Sequence, residues 1–187
     1  MSEFLTIIHT CEDFGIWKVA YDADTPHRAA AGLTDLILLR QMDEPNVIGL
    51  IFGVTDRVKA TAFLQSDRLR MKMVQAGIVG TPTITYREGS FAPAGAATYL
   101  TVNCTISGID KFRAGYAMDA TDRMEAGLTD LGLMQSVENP NDLLLIWSVA
   151  DVDRANAFIT SLKLAEHQVK EAGIVGKPEA HYWTIWP

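Results

Sequence analysis

With 187 residues the chain suits one or two domains and is long enough to bury a substantial core. It is 48% hydrophobic and 21% charged without low-complexity runs, the composition of an ordinary globular protein. Its net charge of −7, with sixteen scattered Lys and Arg, argues against a nucleic-acid or anionic-membrane surface.

The opening MSEFLTIIHT lacks a basic region, and no apolar run approaches the ~20 residues of a membrane span, so neither leader nor membrane segment is expected. FLTIIHTC is short, β-branched and bounded by polar residues, so it reads as a first strand. DFGIWKVAYDAD sets Trp17 and Tyr21 at i,i+4 on one helical face. A polar turn leads to AGL, where Gly32 supplies the left-handed residue that commonly ends a helix. LTDLILLRQ is a second strand and DEPN a turn. VIGLIFGV is apolar nearly throughout, as expected of a strand covered on both faces. Asp56 caps a further helical region that breaks near Ser66, after which Leu69, Met73 and Ala76 keep helical spacing. AGIVG ends that helix at Gly77, and TPTITYR is a fourth strand. GSFAPAGAA, 89–97, then reads as a linker.

The remainder repeats this plan. AGLTDL occurs at 31–36 and 126–131, and QAGIVGTP is echoed by EAGIVGKP. At an offset of 95, Tyr21 meets Tyr116, Arg28 meets Arg123, Asp56 meets Asp151 and Ser66 meets Ser161. Beyond Ser161 the offset becomes 96, and a helix break at the serine is the expected place for the extra residue. Within a continuous helix one residue would turn the following apolar face by about 100°. Leu162, Ala165, Val169 and Ala172 then carry the apolar stripe. A period near 95 is too long for a solenoid and has the size of a small domain. The chain is therefore α+β, with two tandem ferredoxin-like βαββαβ domains, 1–88 and 98–187.

Each such sheet covers one face with helices and leaves the other needing burial. In the first strand Leu5, Ile7, His9 and Cys11 point one way and Thr6, Ile8 and Thr10 the other. Neither set is charged, so the two antiparallel sheets are expected to pack face to face as an α/β barrel. Cys11 and Cys104 make neither a disulfide framework nor a metal-ligand spacing, and a reduced, cytoplasmic compartment is expected.

The pattern Trp17-Lys18, Tyr21-Asp22, Arg28, AGL, EPN, Asp56, AFLQS and AGIVG-P resembles the dimeric α/β-barrel superfamily. That group includes antibiotic-biosynthesis-monooxygenase-like and stress-responsive barrel proteins, and the resemblance covers each copy almost end to end. It implies a cavity between sheet and helices for a small hydrophobic or aromatic molecule. It also implies one chain supplying both units, with a further homodimer left open. Two readings of function follow: a cofactor-independent monooxygenase-like or isomerase-like enzyme, or a non-catalytic ligand-binding or stress-associated barrel protein. Haem-binding relatives use a histidine, but their other pocket motifs are not recognisable, and no cofactor is expected.

His9 is the candidate general base, because its counterpart is Cys104 and an enclosed histidine works near neutral pH. Trp17, Tyr21 and Arg28 are candidate substrate-binding residues, with Tyr116 and Arg123 as counterparts, and a guanidinium suits a planar anion. The plainer alternative makes the aromatics core and pairs Arg28 with Asp24 at i,i+4. His181, asymmetric against Thr85, is a further substrate-binding candidate; His167 falls off the apolar stripe and reads as exposed. No HxH, HExxH or CxxC spacing is present, so no metal is expected. Trp147, Trp183 and Trp186 give the second copy a differently shaped pocket.

Overall fold

The computed structural model describes residues 2–186. The chain divides into two compact units. The first contains β1 (Ser2–Cys11), α1 (Phe14–Ala23), α2 (Thr25–Ala30), β2 (Leu33–Gln41), β3 (Val47–Val54), α3 (Arg57–Leu64), α4 (Asp67–Gln75) and most of β4 (Ile78–Phe91). The second repeats the order with β5 (Thr98–Ile106), α5 (Ile109–Met118), α6 (Ala120–Glu125), β6 (Leu128–Ser136), β7 (Asp142–Val149), α7 (Val152–Ile159), α8 (Leu162–Lys170) and β8 (Ile174–Ile185). In each unit the strands order as β4-β1-β3-β2 and β8-β5-β7-β6, the ferredoxin-like arrangement written twice.

Local sequence dictates most boundaries. Asp13, Asp56 and Asp151 sit in extended backbone and accept the N–H of the third residue on, closing the first turns of α1, α3 and α7. Ser66 and Ser161 do the same for α4 and α8, which is the break that the sequence predicts. Gly32 and Gly127 take φ near +75°, and each passes its carbonyl to a residue just ahead of the following helix, Thr55 or Ala150. The turn before that glycine differs from expectation. It is a short helix in both units, α2 and α6, and in α2 Pro26 occupies a first-turn position where its missing N–H costs nothing.

The extra residue of the second unit lies elsewhere than the serine break. Leu69 and Leu164 hold matching places three residues after their caps, both N–H groups 3.2 Å from the serine hydroxyl. The insertion falls at the end of α8. There the N–H groups of Glu171 and Ala172 both reach the His167 carbonyl, at 2.8 and 3.3 Å. The second bond spans five residues, a widened last turn that swallows one residue without rotating what precedes it. The apolar face shifts accordingly. Leu162 and Val169 are 83% and 63% exposed, whereas Leu164 and Ala172 are buried. His167 turns inward and donates from Nε2 to the Gly115 carbonyl at 2.8 Å.

β4 continues to Phe91, so of the expected linker only 92–97 lacks regular structure. At the other end, Ile185 and Trp186 group with the first unit: Trp186 packs on Phe14 at 4.7 Å between ring centres, and Arg40 lies over both rings. No helix is long and apolar enough to cross a membrane among the described residues.

Gly115 is where α5 meets the chain leaving α8. A Cβ there would lie 2.5 Å from the Ala172 nitrogen and 2.6 Å from its Cα, both backbone atoms that cannot swing aside. Alanine ordinarily favours a helix over glycine by about 1 kcal/mol. Overpacking against rigid backbone costs about 1–3 kcal/mol. Gly115→Ala is therefore expected to destabilise the protein by up to about 2 kcal/mol, read as a lower midpoint in urea denaturation.

Candidate functional site

The helices of the first unit do not close on its sheet. A cavity of about 110 Å³ remains between them, walled by Ile7 and His9 of β1, Trp17 and Tyr21 of α1, Phe52 of β3, and Leu69 and Met73 of α4. The alternation of β1 turns His9 to this side. Its ring is 7% exposed and packs 5.2 Å from Trp17, and neither Nδ1 nor Nε2 has a hydrogen-bond partner. Burial lowers the His9 pKa from 6.5 to about 4, because charging it would require desolvating the imidazolium. At neutral pH the ring is uncharged, with one N–H and one lone pair that nothing in the chain satisfies.

An aromatic ladder leads away from it. Phe14 meets Trp17 at 5.6 Å, Trp17 stacks on Tyr21 at 4.9 Å, and the Arg28 guanidinium lies 3.7 Å over the Tyr21 ring. Arg28 is 5% exposed and engaged within the chain: Nε and Nη2 fork onto Asp35 at 2.9 and 2.6 Å, Nη1 donates to the Tyr21 carbonyl, and Nη2 reaches Thr25. Its carboxylate partner is thus Asp35 of β2 and not Asp24. Asp24, on the cavity wall, binds Arg68 of α4 and lies 3.4 Å from His27. Burial, reinforced by Asp35, pushes the Tyr21 hydroxyl well above its usual range, so it stays protonated. Asp35 stands just before a bulge in β2, opposite Phe52.

Tyr116, Arg123 and His181 lie in the second unit. Arg123 repeats the Arg28 role, with Asp130, Asp119 and the Tyr116 carbonyl as acceptors and the Tyr116 ring 3.5 Å beneath it. His181 is half-buried on β8, its ring edge against Trp183. At the matching place in this unit Cys104, Phe112, Trp147 and Ala172 belong to a buried core with Tyr116 packed on it. Three positions differ there. Trp147 stands where the first unit has Phe52, and its indole N–H bonds Asp130 and Tyr116 at 2.5 and 2.8 Å. Gly115 replaces Ala20 and lets α5 approach. His167 replaces Lys72 and ties α8 to α5. Asp35, Phe52 and Lys72 were not singled out in the sequence; aligning the copies shows the Phe/Trp and Ala/Gly changes but not that they open a cavity. Among the described residues no cluster of His, Cys, Asp and Glu is arranged to hold a metal ion.

No family model and no curated protein matches the chain. Solved structures do. An anthrone oxidase-like protein superposes with a TM-score of 0.64 at 9% identity, covering 100% of this chain and 92% of that one. A monooxygenase-like protein from Listeria innocua gives 0.54 at 12% identity, over 99% and 95%. An uncharacterised ferredoxin-fold protein related to antibiotic biosynthesis monooxygenases, from Listeria monocytogenes, gives 0.53 at 12%, over 100% and 96%. The chain has their fold. It is the tandem ferredoxin-like fold of monooxygenase-like proteins, shared at identities that carry architecture and not chemistry.

Two outcomes follow from this geometry. His9 binds its proton near pH 4 in the folded chain and near 6.5 when unfolded, so its contribution is complete above pH 6.5 and is lost as pH falls towards 4. The loss is on the order of 3 kcal/mol, and His9→Phe should flatten that limb of a stability–pH curve relative to wild type. Phe52→Trp should fill the cavity as Trp147 does, changing stability by less than about 1.5 kcal/mol while abolishing uptake of small aromatic probes seen by calorimetry.

Proposed function

We propose that the cavity of the first unit binds a small, planar, apolar molecule and that His9 takes a proton from it. The observation that carries this reading is the pair of buried, unpartnered His9 nitrogens on a residue that lines a mostly apolar cavity. Buried polar atoms are nearly always paired, and an orphaned imidazole at a cavity wall is suited to a ligand. An apolar cavity of ~150 Å³ takes up benzene, so about 110 Å³ suits a single ring, with Trp17 as its stacking surface.

A ligand hydroxyl or acidic C–H placed against the His9 lone pair would share its proton with the ring. With a pKa near 4 the empty-site imidazole is a weak acceptor. The anion left behind changes that, because an adjacent negative charge in a dry cavity favours imidazolium. Returning the proton to a different atom is isomerase-like chemistry; reaction of the anion with dioxygen is monooxygenase-like. The fold shared with monooxygenase-like and anthrone oxidase-like proteins supports the second. Tyr21 and Arg28 shape the wall and hold α1 in place; neither is free to titrate or to grip a substrate.

His9→Ala is the decisive variant. Turnover of single-ring hydroxyaromatics by the purified protein should fall by about 10²–10⁴, with binding weakened far less. Equal turnover by the variant would remove His9 from the chemistry. Uptake of such molecules by wild type without any turnover would instead leave a ligand-binding protein.

A further inference from the structure

We infer that the ligand of this cavity carries an anionic group, a carboxylate in the simplest case, held at the rim by Lys72. The inference rests on the cavity being a ligand site. Lys72 of α4 lines the cavity, is exposed, and has no side-chain partner among the described residues. Arg68, one turn earlier on the same helix face, binds Asp24 and His27 through Nη2, while its Nη1 is buried with no acceptor. The acids nearby are engaged, Asp24 by Arg68 and Asp35 by Arg28. The rim therefore presents an unmatched positive charge on Lys72, beside an interior walled by His9 and Trp17. A carboxylate accepts from the Lys72 ammonium, and charge-assisted bonds of this kind are the strong ones.

The second unit shows that the fold does not require these cations to be spare. Lys163, at the Arg68 position, pairs with Asp122, and His167, at the Lys72 position, bonds the Gly115 carbonyl. In the second unit both positions are satisfied within the chain; in the first, Lys72 has capacity left. The notion of a planar anion thus survives, but its receptor is α4 and not the fully engaged Arg28.

Calorimetric titration of the full chain with 4-hydroxybenzoate and with its neutral amide tests this. The carboxylate should bind about tenfold tighter at low salt, with the preference shrinking as ionic strength rises. Lys72→Met should remove most of the preference while leaving amide affinity within about twofold, and Lys72→Arg should restore it. Equal binding of the two compounds by wild type, or a preference untouched by Lys72→Met, would overturn the assignment while leaving the cavity a ligand site. Binding of neither compound would overturn both.

Discussion

A buried arginine organises each half of this protein. Taking a guanidinium out of water is tolerable only with a carboxylate and further acceptors in place. Arg28 finds them in Asp35, Thr25 and the Tyr21 carbonyl; Arg123 finds Asp130, Asp119 and the Tyr116 carbonyl. The requirement fixes several things together. It binds the short second helix to the second strand, sets the acid just before a bulge, and presses a tyrosine ring against the cation. The stacked aromatics of α1 then stand where they can wall a cavity. The residue that looks most suited to gripping an anion is the one least available to do so.

On that common frame the two units diverge through a few side chains. The second unit has a tryptophan for a phenylalanine, a glycine for an alanine and a histidine for a lysine, and through them Trp147 bonds Asp130, Gly115 lies against the Ala172 backbone and His167 bonds the Gly115 carbonyl. Dense packing makes such differences decisive, since interiors tolerate neither a large void nor an extra methylene cheaply. The filled unit supplies core; the open one retains a histidine without partners. An unsatisfied buried group is a cost that a purely structural unit has no reason to keep.

The likeness to monooxygenase-like proteins concerns architecture, since a fold of this kind hosts unrelated chemistries and function resides in the site it frames. Here the frame contributes a narrow, mostly apolar space and the sequence contributes His9. Proton transfer beside such a space depends on the charge that develops on the ligand and on the cations around it. That ties the reactivity of His9 to what the rim of the cavity will bind.

What the sequence by itself determined was the duplication, the strands and the caps. These depend on neighbours within a few residues: Asp and Ser side chains closing first turns, glycines taking left-handed backbone, apolar runs with period two. The asymmetry of His9 against Cys104 was equally legible. Tertiary structure alone decided which carboxylate Arg28 takes, because Asp24 and Asp35 are both within reach along the chain and only the packed strand selects one. It also decided that the inserted residue widens the end of α8, and that Trp186 joins the first unit. That a cavity opens beside His9 depends on how side chains far apart in sequence pack together, which no local pattern contains.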